Sequence, residues 1–283
     1  MAFQGYLLIK IILIYDKIEG MIKSKKQELT IFLIIVGVAS FFRFYQMGTI
    51  FSPVIGILTV IGLYLLTKEL FEWRIATIAS YLSAISFWHV NFSRMKVPEI
   101  IVPFVLVYAF YFLWKGLKHN HLPSFAIAGI FIGLGFYTCP SYYPAPLIAL
   151  VLFLNFWWYL KKDFEHSKYE HAKTKLLQGF VLLALVAFVV ALPFAINFWK
   201  HTPAFNQGES AQISIASVVK TLGMFNFSDS PLLPWPIGVF FVVGFINELI
   251  HWLKRKHGHF STTHTFMFVW FVVMLLPGFL STT

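Results

Sequence analysis

The sequence predicts an all-α bundle of membrane-spanning helices, and three observations carry that expectation. Hydrophobic residues make up 58% of the chain and mean hydropathy is +0.74, which no soluble core accommodates. Nine apolar blocks approach the roughly 17–25 residues that a spanning helix needs. When these blocks are threaded alternately through a bilayer, all but five of the 22 Lys and Arg residues fall on one side. That asymmetry is the inside-positive pattern of multi-pass membrane proteins.

The blocks are read at 29–46, 50–67, 75–92, 99–114, 122–138, 141–160, 176–199, 232–253 and 264–281. Short turns join them, so residues 29–283 form one polytopic domain behind an N-terminal segment, 1–28. Within that segment, 6–15 (YLLIKIILIY) is too short to span and reads as an interfacial helix. Lys23, Lys25 and Lys26 precede the first block and keep the N-terminus cytoplasmic. Lys68 and Arg74, Lys115 and Lys118, the segment 161–175 and Lys254–Lys256 then share that inner side. KKDFEHSKYEHAKTK (161–175) is expected as a solvated loop drawn to lipid headgroups. The C-terminal end faces outward. A bacterial inner membrane is the expected setting.

The net charge of +10 implies no nucleic-acid partner. The positive residues sit in short loops between apolar blocks rather than on one soluble face. Cys139 is the single cysteine and can form no intrachain disulfide. His166 and His171 are not at a spacing that shares a helical face. No metal site, phosphate loop, dinucleotide fingerprint or zinc-protease motif is present. Asn91-Phe92-Ser93 and Asn226-Phe227-Ser228 match the glycosylation acceptor pattern but are commonly met by chance.

The outer side carries few ionisable groups, and groups of that kind beside a membrane are costly and often functional. They are Arg43, His89, Arg94, Lys96, Glu99, Lys200, His201, Glu209, Lys220 and Asp229. Arg94 and Lys96 lie two residues apart at the outer mouth between two helices. Arg offers a planar fork to a phosphate and Lys a compact charge. His89 either orients a ligand or completes a buried polar network. Tyr137, Tyr142 and Tyr143 fit an interfacial aromatic belt or a stacking surface for a sugar. In the long outer connection 200–233, a surface helix is expected from about Ala211 to Phe225, with Ser210 as its N-cap.

Three stretches go beyond a generic membrane bundle. They are residues 51–95, with KELFEWRIA and WHVNFSR; 129–150, with GLGFYT; and 217–245, with SVVKTLGMFNF and SPLLPWPIGVFFVVGF. Together they resemble the family-39-type glycosyltransferases of the GT-C fold, which include protein mannosyltransferases and aminoarabinose transferases. The resemblance implies transfer of a hexosyl or pentosyl group from a polyprenyl-phosphate donor to a lipid, protein or glycan acceptor on the outer face. On that chemistry Arg94 and Lys96 are expected to bind the phosphate and His89 and Tyr143 to contact substrate. A carboxylate from Glu99, Glu209 or Asp229, with Glu99 nearest Arg94 in sequence, would have to act as the catalytic base. No cofactor is assigned, though a divalent metal is compatible with the chemistry. Relatives carry an acid in a long first outer loop, whereas Met47–Ser52 here holds none. The resemblance also implies further helices beyond LLPGFLSTT. A catalytically silent family member that binds lipid or assists assembly is therefore the alternative reading. A transporter of a lipid-linked substrate ranks behind it.

Overall fold

The computed structural model describes residues 25–44, 51–95, 98–163, 166–200, 221, 235–253 and 259–279. Helices dominate and there is no strand among the described residues. They are α1 (Lys25–Phe44), α2 (Phe51–Leu70), α3 (Trp73–Ile85), α4 (Phe87–Arg94), α5 (Ile101–His119), α6 (Leu122–Gly135), α7 (Ala145–Asp163), α8 (His166–Lys200), α9 (Trp235–Leu253) and α10 (His259–Phe279). Short 3-10 turns at Pro98–Ile100 and Pro140–Tyr142 precede α5 and α7. The expected N-terminal interfacial helix lies outside the described residues, as does nearly all of the expected surface helix at 211–225.

The protein is an all-α polytopic membrane protein. Helices α1, α2, α5 and the Lys173–Lys200 part of α8 are long and apolar enough to cross a bilayer by length and composition. Helix α6 is shorter, with 14 residues. That makes about 21 Å of helix, against a hydrocarbon core of about 30 Å. Two expectations are corrected. The block 75–92 is interrupted at Ser86, whose extended backbone (φ −59°, ψ 121°) separates α3 from α4. The charged stretch 161–175 is not a loop: α7 runs to Asp163 and α8 starts at His166. Its Lys, Glu and Ala residues are good helix formers, and no Gly or Pro interrupts them. Helix α8 thus reaches 35 residues. At about 52 Å, it is longer than the hydrocarbon core is thick.

Packing divides the chain into two compact units, Met1–Lys96 and Val97–Thr283. In the first, Ile35 and Ala39 of α1 meet Val60 of α2 and Ala84 of α3 in a small apolar core. Two of these four residues, Ala39 and Ala84, are alanines.

The second unit is built on close helix contacts at glycine. Gly129 and Gly133 stand one turn apart on α6. A Cβ on Gly129 would lie 2.6 Å from the Leu183 carbonyl oxygen, and one on Gly133 would lie 2.8 Å from that of Ala187. This small-xxx-small seam lets α6 and α8 touch backbone to backbone, the usual device where lipid leaves no hydrophobic drive between helices. Phe125 fills the space between Gly116 of α5 and Gly179 of α8. On the other side of α5, Trp114 packs against Phe156 of α7 and Phe266 of α10. Asn120 ends α5 in the left-handed conformation (φ 51°), with its N–H on the Gly116 carbonyl. That is a common way to stop a helix. Pro123 then sits in the first turn of α6, where its missing N–H costs nothing.

After α6 the chain doubles back through Tyr142, whose buried ring lies over Gly135. The Tyr142 hydroxyl donates to the Ile132 carbonyl at 2.9 Å. A Cβ on Gly135 would fall 2.0 Å from the Tyr142 ring, so only glycine fits. Gly135→Ala is expected to destabilise the protein by about 1–3 kcal/mol, as overpacking does. Tyr142→Phe, which removes only the hydrogen bond, is expected to cost about 1 kcal/mol. Thermal unfolding of the purified protein in detergent checks both, and the ordering of the two is the result that matters.

Candidate functional site

Arg43 is the one charged side chain in the apolar stretch from Thr30 to Phe44, and it is fully buried, at 0% exposure. A guanidinium in that position needs acceptors that water would otherwise supply. Its Nη1 donates to the carbonyl of Ala39, one turn earlier on α1, at 3.0 Å. The same nitrogen donates to the carbonyl of Ala84 at 3.2 Å. Ala84 lies in the last turn of α3, and the break at Ser86 takes its carbonyl out of the continuing helical ladder. Arg43 therefore caps α3 from another helix.

Nη2 of Arg43 meets Nδ1 of His89 on α4 at 2.5 Å. Arginine stays protonated and can only donate, so His89 accepts through Nδ1. The neutral imidazole then carries its proton on Nε2. That N–H makes no hydrogen bond of normal geometry, although the Ser83 backbone carbonyl lies near the ring. His89 thus belongs to the buried polar network, the second of the two roles its position suggested.

Two residues close the space around the guanidinium. A Cβ on Gly56 of α2 would fall 2.8 Å from Arg43 Nε and 2.7 Å from Ser93 Cβ. Ser93 is itself fully buried and donates back to the Val90 carbonyl at 2.6 Å. One guanidinium therefore joins α1, the end of α3 and α4, while Gly56 presses α2 against the junction. The next residue, Arg94, ends α4 and is exposed. A buried arginine thus fixes the short helix from which an exposed arginine projects.

The other expected site residues are placed as follows. Glu99 is exposed in the 3-10 turn Pro98–Ile100 at the start of the second unit. Tyr143 is exposed, and its ring stacks on Phe136 with centroids 6.1 Å apart. Phe194 of α8 lies 6.2 Å from the Tyr143 ring and 5.7 Å from that of Tyr137. The Tyr137 hydroxyl donates to the Val190 carbonyl at 2.9 Å and accepts from the Phe194 N–H at 3.2 Å, beside Pro193. It therefore stands in the α8 ladder where proline disturbs it. The result is an aromatic surface of fixed geometry on the second unit. Lys96, His201, Glu209, Lys220 and Asp229 lie outside the described residues.

The structure brings His89 together with Arg43, a partner that the sequence marks only as one of several outer ionisable groups. The available signal was its isolation: a lone, buried arginine in an apolar block must find acceptors within the protein. Arg43→Met would leave the Ala84 carbonyl and His89 Nδ1 unsatisfied, at about 1–3 kcal/mol for each buried group. Arg43→Lys offers no planar fork to serve both α3 and α4, and is expected to recover little of that loss. Gly56→Ala should destabilise by steric pressure alone. Thermal denaturation of the three variants checks this, with a Tm below wild type expected in each case.

Helices α2 to α7 and the Arg43 junction lie within a stretch that has known relatives. Residues 29–196, more than half of the chain, match the model of the family described as dolichyl-phosphate-mannose-protein mannosyltransferase. A comparison with curated proteins finds no match. The chain belongs to the dolichyl-phosphate-mannose-protein mannosyltransferase family, and with it to the membrane glycosyltransferases of GT-C type.

Proposed function

We propose that this protein moves a hexosyl or pentosyl group from a polyprenyl-phosphate carrier to a hydroxyl group of a lipid, protein or glycan acceptor at the outer membrane face. The observation that carries the reading is the α4 arrangement within the family-matched stretch. Arg43 and His89 seat the helix, and Arg94 stands exposed at its end. A flexible cation would contribute little to a phosphate. One on a helix anchored by a buried network holds its place as charge develops.

In this reading the acceptor hydroxyl attacks the anomeric carbon of the donor sugar. The new glycosidic C–O bond forms as the C–O bond to the carrier phosphate breaks, and the polyprenyl phosphate leaves with the bonding pair. Arg94 and Lys96 hold that phosphate and offset its gained charge. Glu99 takes the hydroxyl proton as general base. His89 acts through Arg43 as a positioning residue. Tyr143, braced by Phe136, offers a face on which a sugar ring can stack. The positive loops keep the N-terminus inside and leave these residues on the outer side.

The absence of an acid between Met47 and Ser52 supports a second reading, a family member that binds donor without turning it over. Release of labelled sugar from a polyprenyl-phosphate-hexose by the purified protein separates the two. Turnover is expected to fall by about 10²–10³-fold in Arg94→Ala and by about 10²–10⁴-fold in Glu99→Gln. Full activity in Glu99→Gln would remove that residue as base. Donor binding without product in the wild-type chain would establish the second reading.

A further inference from the structure

The first unit holds a second polar site, at the opposite end of α1 from Arg43. A cavity of about 240 Å³ is lined by Lys25, Glu28, Leu29, Phe32, Tyr64 and Lys68. The space opens to the surface and has room for one small charged group. Its floor is built rather than incidental. Tyr64 is only 4% exposed, and its hydroxyl donates to Glu28 Oε1 at 2.7 Å. Lys68 pairs with the same oxygen and lies 6.0 Å from the Tyr64 ring. Phe32 packs on Tyr64 with centroids 4.7 Å apart.

The charges define the ligand. Glu28 and Lys68 neutralise each other, so the wall carries one net positive charge, from Lys25. Lys68 keeps ammonium protons beyond the one given to Glu28, since an ammonium has three donors. The site therefore suits a monoanion with several acceptor oxygens, which is the chemistry of a phosphodiester. Its place in the bilayer defines the source. Helix α1 has 20 residues. Its length of about 30 Å equals the thickness of the hydrocarbon core. Lys25 at its first residue and Lys68 near the end of α2 thus lie at headgroup level. From the cavity, Leu29 and Leu33 run along α1 one turn apart, 57% and 58% exposed, as a track for an acyl chain.

We propose that this cavity is a binding site for an anionic glycerophospholipid, whose phosphodiester sits between Lys25 and Lys68 while an acyl chain follows Leu29 and Leu33. The site is separate from the sugar-transfer chemistry. Bound lipid would tie the facing ends of α1 and α2 together, and so steady the helix that carries Arg43.

Photocrosslinking of the full chain tests this directly. The protein is placed in phosphatidylcholine nanodiscs containing a trace of phosphatidylglycerol with a photoreactive headgroup, and crosslinked peptides are mapped. Crosslinks are expected at residues 25–32 and 64–68, displaced by unlabelled phosphatidylglycerol but not by added phosphatidylcholine. Lys25→Gln leaves the Glu28–Lys68–Tyr64 contacts in place and should lower those crosslinks about fivefold, the worth of one lysine near an anionic surface. Crosslinks near Lys115 and Lys118 should not change. Equal displacement by phosphatidylcholine, equal displacement by soluble glycerol phosphate, or no effect of Lys25→Gln would each overturn the proposal.

Discussion

A guanidinium removed from water is among the most demanding groups a membrane helix can carry, and the first unit is organised around meeting that demand at Arg43. One carbonyl comes from its own helix, one from the end of α3 and one ring nitrogen from α4. Those partners are 4, 41 and 46 residues away in sequence, so one side chain holds together segments that meet only in the folded chain. The break at Ser86 and the arginine depend on each other. An uninterrupted helix would consume the Ala84 carbonyl in its own ladder, and without the arginine that carbonyl would be left bare in an apolar setting. Gly56 completes the arrangement by letting α2 approach where any side chain would push the guanidinium aside.

The second unit solves a different problem by similar means. Its helices are apolar on most faces, so burial alone does not select a neighbour. Glycines at positions 129, 133, 116 and 179 make selected contacts closer than any lipid-facing surface allows. Phe125 and Trp114 fill the volume on either side of α5. The aromatic surface formed by Tyr143, Phe136, Phe194 and Tyr137 follows from this seam, because α6 and α8 must be in register for Tyr137 to reach the Val190 carbonyl. In both units, then, a small residue sets the distance and a polar side chain sets the register.

The fold class was legible because hydropathy and charge asymmetry act over whole helices and survive local error. The division of block 75–92 was not legible, since Ser86 makes no side-chain cap hydrogen bond there and the arginine that satisfies the freed Ala84 carbonyl lies on another helix. The stretch 161–175 misled for the opposite reason. Its charge density resembles a loop, while its residue types favour a helix that simply continues past the membrane. Arg94, Glu99 and Tyr143 were singled out by residue type and by family resemblance, and their roles rest on the proposed function. Arg43 was visible as a cation out of place, but its role needed the structure because none of its distant partners is distinctive in sequence. The spacing of Gly129 and Gly133 was also there to be read. It passed as part of a family motif because only the packing shows which helix it faces.

The central claim is that Arg43 holds α3 and α4 in place, and amide hydrogen exchange in the Arg43→Met variant tests it most directly. The expected result is faster exchange confined to residues 84–94, with α5, α6 and α8 protected as in the wild-type protein. Unchanged protection across 84–94 would contradict it, and would mean that the helix break and the seat of Arg94 are maintained without the guanidinium.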